Sequence, residues 1–588
     1  MKTNSQTNKK ASALVIALLV ILMIAAFIGI AVNLTTATVR QTDSSRDYSA
    51  LKSSAEGALD FAYGVWVKTI NSYYKPVSAA QLAAPMATVP SFTYFSYASS
   101  AENGPLEINA VDEYDQPVAS STATPNPTKV NLDNYPGWVG YNSSYLASVR
   151  LVGTFLGGRT VKYGAKREMT YSVVPLFQAT AFFEDDLELY KTATMTIGGL
   201  VHTNSKAYVS SPSAGVLTFT GNLSYVKAYT DSVEPPEADT WSGYSPNSTL
   251  PPTFPNGFDA QVSQVARMEP LGTDSGALLS TSDSNPNNDT MRELIEPPNS
   301  AYPDPTPIAD RRLYNKAGIV VHVTSTTNGS GQVTTTESVA TQNGTSLTNA
   351  QITAIKNALT QQTIYDRREG NNVDLTTLDV SAVKSTLNAA SGFNDIIYID
   401  ETASDGTISN SDPKGIRLIN GSILPSDGLT VASQNPVYIQ GDYNTQGGEP
   451  SSAVFADAVT ILSNNWNDSH SNSSLSGRQA TDTTVNTAIV AGFIPSGWTN
   501  PNNNAQYGYS GGLNNFPRFL EDWSSDTFTY NGSMIELFTS KIAIGEWDTG
   551  NIYSPPHRVW DFDSKFVNSP PPGSLDAVAI GRGALARF

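Results

Sequence analysis

The 588 residues are only 15% charged and carry a net charge of −18, so the basic footprint that nucleic acid demands is missing. There is no cysteine, which excludes disulfides, thiolate nucleophiles and Cys-ligated metal centres. Ser, Thr, Asn, 43 glycines and 35 prolines stand where charge is usual, the profile of a β-rich extracytoplasmic protein with many turns. At roughly 150 residues per domain the length predicts three or four units, or one long repetitive one.

Ala13 to Val32 is a run of twenty apolar residues without charge or proline, preceded by Lys9-Lys10-Ala11-Ser12. As a helix at about 1.5 Å per residue it covers the roughly 30 Å of a bilayer's hydrocarbon core. Three readings are open. A secretory signal peptide also begins with a basic region, although its apolar core is usually about 7–15 residues. A plain membrane anchor fits the length, and the lysines ahead of it predict a cytoplasmic N-terminus. The third reading comes from the residues beyond the apolar run. Tyr48, Leu51, Ala55, Leu59, Ala62 and Trp66 recur at steps of 3, 4, 4, 3 and 4, the apolar stripe of an amphipathic helix. With no proline before Pro76, the pattern predicts one helix over residues 12–75, transmembrane over 12–33 and roughly 90 Å long.

KKA-SALVIALLVIL and the SAEGALDFA run at Ser54 to Ala62 resemble the leader, mature start and following helix of PilX-type minor pilins and related pseudopilins. The resemblance implies that residues 1–11 are a leader, cut by prepilin peptidase between Ala11 and Ser12. It also implies a helix that joins a filament core, with Leu14, Ile16, Leu18, Ile21 and Phe27 in its membrane half and Leu51, Ala55 and Leu59 beyond. Ala11 stands where glycine is usual. Ile16 is the fifth mature residue, where major pilins have glutamate, and a lone charge there costs several kcal/mol in lipid. The implied identity is a specialised subunit rather than the major one. Implied partners are other pilins or pseudopilins, the peptidase and an inner-membrane assembly platform, with single-pass residence in the inner membrane before assembly and in a periplasmic or surface filament after it.

Residues 76–134 mix Pro, Ser, Ala and Thr without period and read as a linker or irregular insertion. Over 135–180 the alternation of Val161 and Tyr163 with Lys162 and Lys166 predicts a hairpin with one solvated face. From 181 to 588 short apolar runs end in Gly, Asn, Asp or Ser turns. Runs such as Ile396-Ile397-Tyr398-Ile399 predict strands buried on both faces. The expected class is mainly β with a long N-terminal α-helix and a distal right-handed parallel β-solenoid carrying inserted loops and short helices. A meander in a sandwich fits the same spacing. Insertions are expected at about 231–312, with helix near Val262 to Met268 and Met291 to Ile295, and at about 340–392. The second holds helix from Thr348 to Gln362 and a short helix capped by Asp379. GGLVHTNSKAYV, RRLYNKAGIVV, IYDRREGNNVDLTTLDV and LTVASQNPVYIQGDYN resemble blocks of large bacterial proteins with PilX-like N-termini, which implies architecture and no activity.

Motifs for chemistry are sparse. Glu184, Asp185, Asp186 and Glu188, and Asp442, Asp457 and Asp468, lack a recognisable spacing and adjacent basic partners, so they read as turn or loop carboxylates. Asp405, Gly406 and Asp412, or Asn465 to Asp468, offer oxygen ligands for calcium without an EF-hand or nonapeptide pattern. There is no G-x-S-x-G and no phosphate loop, and the paired glycines at 157–158, 198–199, 447–448 and 511–512 read as tight turns. His202 reads as a satisfied turn histidine. Trp466, Trp498, Trp523, Trp547 and Trp560 read either as the seal of a core or as a sugar-binding surface. Before Phe588, GRGALAR lacks the alternation of a barrel strand.

The expected function is therefore a non-enzymatic minor pilin or pseudopilin of a type IV pilus or type II secretion-like system, its distal domain acting at tip or side in assembly or adhesion. No cofactor is expected, and a glycan or surface ligand is. The alternatives are a membrane-anchored β-helix enzyme acting on polysaccharide and a surface adhesin outside any filament.

Overall fold

The computed structural model describes residues 6–588 except 100–104, 113, 115, 119–121, 156–157, 191, 193, 212–215, 231–249, 271–278, 280–289, 328–332 and 404–405, with backbone alone over 6–12. The chain is mainly β with a long N-terminal helix, and its sheets are parallel and mixed. It divides into two compact units. The first comprises residues 1–127, 143–171 and 580–588, the second 128–142 and 172–579.

Helix α1 (Gln6–Tyr73) runs 68 residues. It stops where Tyr74 turns into the left-handed region at φ 53° and Pro76 removes the next donor. Strands β1 (Phe95–Tyr97), β2 (Glu107–Ala110) and β3 (Thr128–Asn131) all pair antiparallel with the long β4 (Val139–Phe155). Among its described residues, the stretch expected to be an irregular linker over 76–134 thus holds three short strands, whose three or four residues are too few to register as a period. On the other side of β4 lies β5 (Arg159–Pro175), and beside β5 lies the C-terminal strand Asp576–Arg587. In β4 buried and half-buried positions alternate almost throughout, as a sheet with one covered face requires.

The second unit is built on two long ladders. The first runs in space Val262–Gln264, Leu223–Tyr225, Leu200–Thr203, Ala179–Phe183, Met534–Thr539, Ala488–Phe493, Ser452–Ala456, Leu429–Ala432, Ile396–Ala403, Ile319–Thr327 and Val333–Thr341. Every neighbouring pair is parallel except the last. The second ladder runs Leu359–Asp366, Asn371–Asp379, Lys414–Ile419, Val437–Gln440, Val459–Leu462 and Pro517–Phe519, antiparallel only in its first pair. Phe183, Val201, Leu223, Val431 and Ile489 from one ladder share a core with Leu418, Ile439, Ile461 and Phe519 from the other. Burial of both faces explains the continuous apolar runs: all five residues of Ala179–Phe183 and the first seven of Ile396–Ala403 are buried.

Two helix expectations change. Val262–Gln264 is a strand on Leu223–Tyr225, and the local helix is the preceding Phe258–Gln261. The helix from Thr348 is capped as a capping box but ends at Asn357, and Leu359–Asp366 is a strand on Asn371–Asp379. In both places pairing with a distant partner overrides a weak local helical pattern. Val380–Asn388 is helical with Asp379 as its cap.

Candidate functional site

The feature that sets this chain apart is α1, whose two halves meet different surroundings. Leu14, Ile16, Leu18, Ile21 and Phe27 are all more than half exposed, up to 73% at Leu14. From Ala13 onward the helix is long and apolar enough to cross a membrane. Ala11 and Ser12 lie in its backbone, and their side chains fall outside the described residues. Past the apolar run, the hydroxyls of Thr35, Thr36, Thr38 and Thr42 donate to the carbonyls four residues back at 2.7–2.9 Å, so these polar residues leave the helix unbroken.

Beyond Asp47 one face of α1 is buried. Leu51, Ala55, Leu59, Ala62, Trp66 and Ile70 are fully inaccessible. Helical spacing puts them on one stripe. The Trp66 ring packs edge-on against Tyr145 of β4 at 5.3 Å between centroids. Tyr145 in turn accepts from the backbone N–H of Val77 and donates to its carbonyl, each at 2.8 Å. Tyr48, half-buried, meets Tyr163 of β5 edge-on.

Charges frame this contact. Arg159 of β5 donates to Asp47 at 2.7 Å and to Ser44 at 2.7 Å. Asp60 receives Arg167 of β5 and Arg582 of the C-terminal strand. Its slight burial raises the carboxyl pKa, and the two guanidinium groups outweigh this and hold it below the ordinary carboxylate range. Arg582 also lies over the Tyr63 ring at 5.2 Å and Arg587 over Tyr48 at 5.3 Å. Phe588 sits under Arg150 at 5.0 Å while its N–H donates to the Gly164 carbonyl. The C-terminal strand escaped the sequence reading because Gly581 and Gly583 interrupt its pattern. A Cβ at Gly581 would collide with the Thr170 hydroxyl, so this glycine lets two strands approach closely.

Most of the scattered acids have a partner set of their own; Asp185 is the exception, contributing backbone atoms, its N–H donating to Glu536 and its carbonyl accepting from Thr203. Asp457 is fully buried and accepts from Arg292 at 3.0 Å and from the backbone N–H groups of Lys541, Ile542 and Ala543 at 2.7–3.0 Å. Asp468 takes Arg417 and the Trp466 indole, and Asp442 takes Asn464 and the Thr484 N–H. Glu184 pairs with Arg267, Asp186 accepts from Ser205, and Glu188 accepts from Ser496 and Ser510. Asp405 lies outside the described residues, and Asp412 pairs with Lys414 at 3.0 Å. Among the described residues no three His, Asp or Glu side chains group as a metal site.

His202 is buried between Phe182 and Trp138, with its ring nitrogens 2.9 Å from Ser224 and 3.0 Å from Asn204. Burial pushes its pKa down to about 4. Trp466, Trp523 and Trp560 are buried, whereas Trp498 and Trp547 are only half-buried.

No known family model matches the chain, and no curated protein matches it. The chain is similar to the crystal structure of the competence-associated pilin ComZ from Thermus thermophilus at 13% identity, covering 85% of this chain and 89% of that chain with a TM-score of 0.25.

Proposed function

We propose that the chain is a minor pilin or pseudopilin of a type IV pilus or a type II secretion-like system, with α1 as the element that enters the filament core. One observation supports it above the others: a single helix is apolar and exposed over its first half and packed by a buried stripe on an antiparallel sheet over its second. A helix that only anchored a domain would not need to continue unbroken into that domain's core. In this reading prepilin peptidase cuts between Ala11 and Ser12, and residues 12–33 hold the subunit in the inner membrane until the assembly platform passes it to other pilins. Ile16 removes the charge that a major subunit carries, which suits a tip or side position. The parallel ladders of the second unit are read as coils of a right-handed β-solenoid, the hand that parallel crossovers favour, with a non-enzymatic role in assembly or adhesion.

The test is the mature N-terminus, read by mass spectrometry in cells with and without prepilin peptidase. The expected result is a chain starting at N-methylated Ser12 when the peptidase is present and one retaining the leader when it is deleted. An identical N-terminus in both strains would overturn the proposal.

A further inference from the structure

The second unit contains a cavity of about 810 Å³ that the filament reading leaves without a role. That volume falls within the roughly 300–1,000 Å³ of sites that hold small ligands. Its wall carries the half-buried Trp498, braced by Tyr507 edge-on at 5.2 Å between ring centroids. Asn410 and Asn502 also line it, and among the described residues their side-chain amides have no hydrogen-bond partner. Each therefore offers both a donor and an acceptor to whatever enters.

Charge narrows the ligand class. The cations of the wall are Arg292 and Lys541, and its anions are Glu293 and Glu296. Arg292 is bound by Asp457, Glu296 and the Gln434 carbonyl, Glu293 by Arg312 at 3.0 Å, and Lys541 lies 3.5 Å from Glu296. The charges are thus matched inside the protein, and no uncompensated cation remains for a phosphate or a uronic acid. An aromatic face beside uncommitted amides suits a molecule with apolar C–H faces and a rim of hydroxyls. We propose that this cavity binds a neutral oligosaccharide, with one pyranose ring seated on Trp498 and its hydroxyls hydrogen-bonded to Asn410 and Asn502. The site stands on the second unit's own geometry, so it survives or fails independently of the pilin reading.

The test titrates the full chain, in detergent, with cellotetraose, chitotetraose and maltotetraose, and with polygalacturonate and a neutral peptide for comparison, followed by calorimetry and tryptophan fluorescence. The expected result is saturable binding of at least one of them in the micromolar-to-millimolar range. Trp498→Ala should weaken that binding about tenfold or more, and Trp498→Phe, which keeps an aromatic face, should weaken it less. Unchanged thermal unfolding of both variants would show that the loss is local. Absence of binding by all three sugars, equal binding by Trp498→Ala, or preference for polygalacturonate or a neutral peptide would each overturn the proposal.

Discussion

At His202 the protein keeps an imidazole neutral by surrounding it. Phe182 and Trp138 exclude water while Ser224 and Asn204 satisfy both ring nitrogens. The unfolded chain protonates this residue below its ordinary 6.5, and the native state resists protonation until about 4. Stability attributable to His202 is therefore present above about pH 6.5 and lost as pH falls towards 4, by about 3 kcal/mol. Glu401 and Glu521, pushed up to about 7 by burial, act in the opposite sense, losing stability as pH rises through that range. Chemical denaturation of His202→Gln and the parent at pH 7 and 4.5 isolates the histidine: the parent should lose more stability than the variant, and equal losses would refute it. Partners of this kind are not legible in sequence. Asp457 looked like one acid among several because its main cation, Arg292, is 165 residues away.

Among elements, α1 was the most legible. Its 3.6-residue period and twenty-residue apolar run depend only on neighbours along the chain, so the buried stripe at Leu51, Ala55, Leu59, Ala62 and Trp66 could be read directly. The same helix sets up a contrast between its halves. Trp66→Ala should cost about 3–5 kcal/mol, read as a lowered denaturation midpoint, because it removes a fully buried ring from Tyr145. Leu18→Ala, in the exposed half, should leave that midpoint nearly unchanged in detergent. Comparable losses from both would mean that the exposed half packs on the fold. Strands were legible where apolar runs end in turn residues, even at three residues as in Leu217–Phe219, and illegible where glycine interrupts the pattern or, as at Phe95–Tyr97, where they stand in an aperiodic stretch.

For the whole molecule, the order of strands in space departs from their order in the chain. The chain enters the first ladder in its middle at Ala179–Phe183, runs to one end at Val262–Gln264, resumes at the other end, and returns to Met534–Thr539 on the free side of its starting strand. Residues 580–588 then belong to the first unit, on the edge of β5. Truncation after Ala579 should strip the cover from that edge and take Arg582 from Asp60. Hydrogen exchange across Arg159–Tyr171 should speed up markedly while the ladders of the second unit keep their protection. Unchanged exchange in β5 would show that the C-terminal strand contributes no stability there.

Composition, the apolar run and the stripe behind it are local properties, and from them alone follow a mainly β chain and a helix long and apolar enough to cross a membrane. Tertiary structure decided the rest. Val201 pairs with Leu223 and Thr430 with Ala453, but Ala453 pairs with Ala488 and Ile489 with Met534. A step that grows from 22 residues to 45 leaves no period to detect. Parallel strands pair through backbone groups that every residue but proline carries in full, so loops of any length are tolerated between them and their partners cannot be inferred from side chains. The same holds for Trp498, whose place at a cavity beside its near neighbour Asn502 depends on Asn410 and Lys541 arriving from two distant stretches of chain.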